Sequence, residues 1–248
     1  MKITIICKKI KKIISSLNKP LSRLEQRIAN KGERLVPKSP SDPEVIRHQS
    51  SYNFFKKIIL KDQKYLKFKK IGIIDLGCGV GYGCKILSEL KNVKITGVDI
   101  SAEAIEYSKK NYKASNINYC QTDLKKFIPN MPKYDYVVSR GVFEHMQKGL
   151  ELAHKSAWHY RLIFDVPYNE PPKINQFHLI TRITEKNFLK FSNVELFYQD
   201  LDGVIYDQDT KPTRPNMIIC VASSSKMKKI KQNKIKFPLS SWQGKKLI

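Results

Sequence analysis

Asp75, Gly77, Gly79 and Gly81 fall at alternate positions in IIDLGCGVGYG, the stretch Ile73–Gly83, directly behind a run of apolar residues. Glycine at that density after a strand lets the backbone come very close to another group, with no side chain in between. Two more aspartates follow at comparable points, Asp99 near the end of VKITGVDIS and Asp123 in CQTDL. Asp99 lies 22 residues after Gly77, near the spacing at which an acidic residue meets ribose hydroxyls. A carboxylate suits that task because it accepts two hydrogen bonds from a cis-diol. Asp123 could accept from an adenine amino group. Each aspartate alone is more simply a helix N-cap or a turn residue. In order, and at successive strand ends, they form a much stronger pattern.

The glycine turn is neither of two common phosphate-binding motifs. Counting G-x-G-x-x-G from Gly77 puts Tyr82 in the third small position, and counting from Gly79 puts Cys84 there. The third glycine of that fingerprint permits close helix packing, and it is missing. The G-x-x-x-x-G-K-[ST] pattern is absent as well. What remains suits a ligand whose adenosine carries no phosphate.

The elements that must hold these residues are legible as apolar runs of strand length. They occur at Ile71–Leu76, Val93–Val98, Ile117–Cys120, Tyr134–Ser139, Leu162–Val166, Val194–Tyr198 and Met217–Ala222. Amphipathic stretches of helical length, such as Ala102–Tyr112 and Gln147–Ala157, separate the first five. That alternation implies parallel βαβ units and an α/β, doubly wound, Rossmann-like sheet. The last two strands are joined by a segment without helical pattern and are expected to form an antiparallel hairpin. Leading helices are expected at Ile3–Leu17 and Asp42–Leu60. In such a sheet a ligand sits beyond the carboxyl ends of the strands, where the glycine turn lies.

Charge divides the 248-residue chain into three parts. The net charge is +24, but residues 1–70 hold 19 Lys and Arg against 5 Asp and Glu, and residues 222–248 hold 8 lysines and no acid. The middle, with 19 basic and 17 acidic residues, is almost neutral. We therefore expect a basic arm over 1–40, a catalytic-sized domain over 41–222 and a basic tail over 223–248. Basic arms can meet anionic membranes or nucleic acid, and a lysine- and isoleucine-rich composition can equally reflect codon bias. In the arm, Ile3, Ile6, Ile10, Ile13, Ile14 and Leu17 recur at helical spacing among lysines. That is the pattern of a basic amphipathic helix at an anionic membrane surface, or equally of a helix packed on its own core or on a second subunit. The five cysteines contain no C-x-x-C pair, so neither a disulfide framework nor a zinc site is indicated. A reduced, cytoplasmic setting is expected, with peripheral docking on the inner membrane face if the arm binds lipid.

The constellation resembles the class I S-adenosylmethionine-dependent methyltransferases. The resemblance runs over about residues 32–222, through IIDLGCGVG, GVDIS, CQTDL, YDYVVSRGVFEHM, LIFDVP and the closing hairpin. It implies a seven-stranded, mostly parallel sheet with one antiparallel strand, and S-adenosyl-L-methionine as cofactor. It also implies that Asp75, Gly77, Gly79 and Gly81 surround the methionine end, Asp99 with Ile100 the ribose side, and Asp123 with Leu124 the adenine, with Ser139 near the sulfonium. GERLVP at Gly32–Pro37, His48-x-x-x-Tyr52, VPYNEPP and HLITRITEKNF resemble a bacterial group found among surface-polysaccharide genes. That likeness implies a glycan or small-molecule hydroxyl as the acceptor.

A sulfonium is already an activated methyl donor, so in-line positioning supplies most of the acceleration. A hydroxyl acceptor also benefits from a base. His145, just past the fourth strand in VFEHM, is the leading candidate because imidazole titrates near neutrality. His145 could instead cap or pack against the following helix. His178 ranks second and Glu144 third. Magnesium-dependent members carry E-x-x-E-H as metal ligands; here Gly141 takes the first acidic position, and no metal is expected. Asp200-Leu-Asp202 reads as turn chemistry. Two alternatives stay open, an RNA methyltransferase that grips phosphates with its basic arms and a cofactor-binding protein without catalysis.

Overall fold

The computed structural model describes residues 22–30, 34–66, 70–227 and 235–239. The helix expected at Ile3–Leu17, Gly32 and Glu33 of the GERLVP stretch, and most of the lysine-rich tail lie outside the described residues. Among the described residues, no helix is long and apolar enough to cross a membrane.

The chain enters through α1 (Arg23–Asn30) and the long α2 (Pro43–Leu66). Asp42 opens α2 by accepting from the Glu44 amide at 2.8 Å, and Pro43 stands at a position where its missing N–H costs nothing. The helix runs six residues beyond the expected Leu60. Val45, Tyr52, Phe54, Phe55, Ile58 and Ile59 on it are buried. The alternating core follows as β1 (Ile71–Leu76), α3 (Tyr82–Leu87), β2 (Val93–Asp99), α4 (Ala102–Asn111), β3 (Ile117–Gln121), α5 (Leu124–Phe127), β4 (Tyr134–Arg140), α6 (Gly149–Lys155) and β5 (Trp158–Pro167). The chain then closes through β6 (Val194–Gln199), β7 (Ile205–Tyr206) and β8 (Met217–Ser223).

The strands form one sheet in the order β3-β2-β1-β4-β5-β8-β6-β7. β1 to β5 pair in parallel, and β8 runs antiparallel between β5 and β6. All seven expected strands are present. The eighth, β7, has two residues, pairs antiparallel with β6, and bridges Ile205 to Leu239. It is too short to leave a periodic signal.

Both faces of the sheet are covered. Ile73 of β1 belongs to a core cluster with Phe55, Tyr136 and Ile163, while its neighbours Ile74 and Leu76 join Val137, Leu162 and Phe164 in a second cluster. Successive residues point to opposite faces, so a strand buried on both sides reads as an unbroken apolar run. One ionic contact ties α2 across this core: Arg161 of β5 grips Asp62 of α2 with Nε at 2.6 Å and Nη2 at 3.0 Å, and both side chains are fully buried. Tyr136 of β4 donates to the same carboxylate at 3.2 Å, and Arg161 also donates to Ser223 of β8.

Candidate active site

The carboxyl ends of β1, β2 and β4 open onto a cavity of about 420 Å³. The glycine turn forms its floor. Gly77 and Gly79 hold φ angles of +76° and +53°, in the left-handed region that favours glycine. The Gly77 and Cys78 amides donate to Val98 O at 2.8 and 2.9 Å, which fastens the turn to β2. A Cβ on Gly77 would lie 2.4 Å from Val142 Cγ2, so that glycine serves packing. Gly79 differs, because a Cβ there would meet nothing within 4 Å. It lines the cavity, and its bare backbone faces open space.

Asp99 stands at the mouth of β2. Its Oδ2 accepts from the Gly79 amide at 3.0 Å, and Oδ1 accepts from the Ser101 amide at 2.9 Å and Arg34 Nε at 3.2 Å. Ile100 beside it is apolar yet 56% exposed and lines the same cavity with Leu124, Val142 and Met146. Asp123 lines it too, and at the same time caps α5 by accepting from the Lys125 amide at 2.9 Å. The N-cap role and the ligand-facing position therefore coincide in one residue.

Three of the expected cofactor residues do not line the cavity. Asp75 is fully buried behind the turn, where it accepts from Tyr52 OH at 3.1 Å and the Cys84 thiol at 3.3 Å. Burial pushes its carboxyl up to about 7. Gly81 is packed tightly, since a Cβ there would lie 2.8 Å from both Ser108 and Tyr119. Ser139 is buried and donates to Leu76 O at 2.8 Å, stitching β4 to the end of β1. These residues shape the wall from behind. Gly77, Gly79, Asp99, Ile100, Asp123 and Leu124 form its surface.

A second chamber of about 570 Å³ adjoins the first, with Arg34, His48, Arg140 and His145 lining both. Its polar walls come from Glu44 and Arg47 of α2, Glu144, and the loop after β5 with Asn169, Glu170, Asn175 and His178, with Pro167, Pro171, Pro215 and Met217 between them. His48 Nε2 meets Glu44 Oε1 at 3.0 Å. Burial and the nearby Arg140 charge hold its imidazole down at about 4, so it is neutral near pH 7. The His48-x-x-x-Tyr52 pair thus places one side chain on the chamber and the other on Asp75.

His145 ends a single 3₁₀ turn, Phe143–His145, after β4. Its Nδ1 lies 3.1 Å from Phe177 O, and its ring meets His178 edge to face with centroids 4.8 Å apart. A carbonyl can only accept, so Nδ1 carries a proton, and in the neutral ring the lone pair is on Nε2. The following helix, α6, begins four residues after His145, behind Lys148 in the left-handed region at φ +57°. Glu144 is buried, its carboxyl raised to about 8 by burial. Asp200, by contrast, spends its Oδ1 on the amides of Asp202 and Val204, which is turn chemistry, and it lines neither chamber.

Sequence reasoning passed over Arg140 and Arg34's partner. Arg140, the last residue of β4, is buried between the chambers. It stands 3.8 Å from Asp165 Oδ2 and 4.0 Å from Glu44 Oε1, and its Nε has no hydrogen-bond partner among the described residues. The only signal available was a charged residue at a strand end ahead of Gly141.

Comparison with known proteins agrees with the fold. Residues 67–165 match the family described as Methyltransferase domain. A malonyl-[acyl-carrier protein] O-methyltransferase of Acetivibrio thermocellus is 34% identical over 76 residues, 30% of this chain and 26% of that one. A ribosomal protein L11 methyltransferase of Dictyoglomus thermophilum is 33% identical over 86 residues, 35% of this chain and 28% of that one. The chain thus spans only about a quarter to a third of the curated relatives it matches. Among solved structures, the plantazolicin methyltransferase BpumL in complex with SAH shares the fold, with a TM-score of 0.54 at 18% identity over 89% of this chain and 99% of that one. The names of these relatives place their methyl groups on unlike acceptors.

Proposed function

We propose that this chain, a member of the class I S-adenosylmethionine-dependent methyltransferases through its domain at 67–165 and its fold, methylates a hydroxyl of a sugar or glycan-type acceptor. The observation that carries the reading is the pair of adjoining chambers that share His145. S-adenosylmethionine occupies the first, against the bare backbone of Gly79, with its ribose hydroxyls on Asp99 and its adenine between Ile100 and the Asp123–Leu124 side. The Asp99 carboxylate has about four lone-pair positions; the Gly79 and Ser101 amides take two, and the two hydroxyls of a diol need the rest, where Arg34 now donates. The diol therefore takes Arg34's place.

The acceptor enters the second chamber. Carboxylate, amide, imidazole and guanidinium side chains line it, the set of donors and acceptors that a polyhydroxylated ligand needs. A hydroxyl oxygen attacks the methyl carbon in line, the carbon–sulfur bond breaks, and its electron pair stays on sulfur to leave S-adenosylhomocysteine. The hydroxyl proton departs on the His145 side. Asp75, Gly81 and Ser139 support the reaction by fixing the turn.

Asp99→Ala is expected to weaken cofactor affinity by about 1–3 kcal/mol, the cost of stranded hydrogen bonds. Calorimetry at matched fold checks this, and equal affinity in variant and wild type would move the ribose elsewhere. The acceptor is tested by transfer of labelled methyl from S-adenosylmethionine to a panel of monosaccharide, nucleotide-sugar and RNA acceptors. Label on a sugar hydroxyl supports the reading. Label on RNA alone, with affinity that falls steeply with salt, would replace it by the RNA reading. Cofactor binding with no transfer to any acceptor would point to a binding protein.

A further inference from the structure

We propose that Arg140 binds an anionic group of the acceptor, a carboxylate or a phosphate, so that the sugar entering the second chamber is an acidic or phosphorylated one. Arg140 ends β4 on the wall shared by the two chambers. Only 6% of its side chain is exposed, yet its Nε has no hydrogen-bond partner among the described residues. Buried polar groups are almost always paired, and a buried charge without hydrogen bonds is costly. The guanidinium is a planar fork of N–H donors, matched to the two oxygens of a carboxylate or a phosphate. A ligand of that chemistry supplies the acceptors that the protein withholds.

The neighbouring carboxylates do not fill this role. Asp165 Oδ2 stands 3.8 Å from Arg140 Nε, and Glu44 Oε1 stands 4.0 Å from Nη2, both beyond hydrogen-bond reach. Each is held by other donors. Asp165 accepts from Ser51 Oγ at 2.6 Å and from the Gly141 amide at 3.0 Å, and it lines neither chamber. Glu44 meets His48 Nε2 at 3.0 Å and takes Arg47 on its other oxygen. The two carboxylates favour the Arg140 charge without satisfying its Nε–H. The other groups on the wall leave room for an anion. Arg34 and Arg47 add two further guanidinium groups to the second chamber. Burial raises the Glu144 carboxyl to about 8, so it is largely protonated at pH 7 and adds little negative charge.

The inference rests on the reading of the second chamber as the acceptor side and names the acceptor's class. Arg140 shares its wall with His145, so an anion held there anchors the acceptor on the side where the methyl group is transferred. The test is calorimetric titration of the full chain, saturated with S-adenosylhomocysteine, with five probes. Three are the matched sugars galactose, galacturonate and galactose 1-phosphate, and two, inorganic phosphate and acetate, carry no sugar. Wild type is expected to bind galacturonate or galactose 1-phosphate at least about tenfold more tightly than galactose, because hydrogen bonds to charged groups are the stronger ones. The tighter of the two names the anion. R140Q is expected to abolish the preference, and R140K, a point charge without the fork, to keep only part of it. Unchanged circular dichroism is the sign that each variant folds, and the comparison within wild type needs no substitution. Galactose bound as tightly as both anions in wild type, an unchanged preference in folded R140Q, or no binding of any of the five probes would each overturn the anion site. Weakened S-adenosylhomocysteine binding in both variants with the preference intact would move Arg140 to the cofactor's own carboxylate and overturn it too. Phosphate or acetate bound through Arg140, with no sugar bound, would keep the anion site and overturn the sugar reading. Wild type that binds no S-adenosylhomocysteine would overturn the reading of the cavity beneath both.

Discussion

Replacing His145 by alanine is expected to lower kcat about 10²–10⁴-fold while cofactor affinity stays nearly constant. The residue lies on the wall common to both chambers, and Phe177 O holds its ring at 3.1 Å. It is therefore placed to act on an acceptor oxygen as the methyl group is transferred, and its contribution belongs to the transition state more than to ground-state binding. A fall in kcat with an unchanged calorimetric titration of S-adenosylmethionine is the expected signature. Turnover retained in the variant would mean that positioning alone drives the reaction, and His145 would then belong to the fold.

Replacing Arg161 by alanine is expected to destabilise the protein by about 3–5 kcal/mol, because it leaves a buried carboxylate without its counter-charge. Asp62 is fully buried, and its two oxygens take both arms of the Arg161 fork. Tyr136 also donates to it at 3.2 Å, and a neutral hydroxyl cannot neutralise it. The double replacement of Asp62 by leucine and Arg161 by methionine is expected to recover most of the loss, since apolar residues of similar volume often substitute for a buried pair at little cost. Denaturant unfolding of the two proteins measures both numbers. A loss below about 1 kcal/mol for Arg161→Ala would show that water reaches Asp62.

These two residues also show what could be read from the sequence and what could not. The parallel strands were visible because burial on both faces makes them continuous apolar runs, and the glycine turn because positive φ restricts its residue choice. β7 was not visible, having two residues, nor was α1, whose eight residues carry few apolar positions. Asp62 and Arg161 lie 99 positions apart, and no local period links a helix residue to a strand residue across that distance. The same limit applies at the site. Asp99 and Asp123 were legible because strand ends in this topology converge on one rim, whereas Ile100 and Leu124 came only with the family resemblance; all four line the cavity. Arg34 stood in a conspicuous motif, but its contact with Asp99 spans 65 positions. His145 and His178 were each noted singly. Only the folded loop brings their rings to 4.8 Å and sets both beside Glu144. Asp75 illustrates the opposite case, a residue legible from its motif whose side chain turns inward to Tyr52 and Cys84.

The central claim is that the open space above Gly79 holds the cofactor, and titration of S-adenosylmethionine into wild type and Gly79→Asn tests it most directly. Asparagine tolerates a φ of +53° better than other side chains, and a Cβ at this position meets no protein atom within 4 Å. The variant should therefore keep the wild-type circular dichroism and unfold within about 1 kcal/mol of wild type. Its side chain projects into the cavity, so cofactor affinity should fall at least about tenfold, or 1.4 kcal/mol, against one bound equivalent in wild type. A folded Gly79→Asn protein that binds S-adenosylmethionine as tightly as wild type would contradict the account.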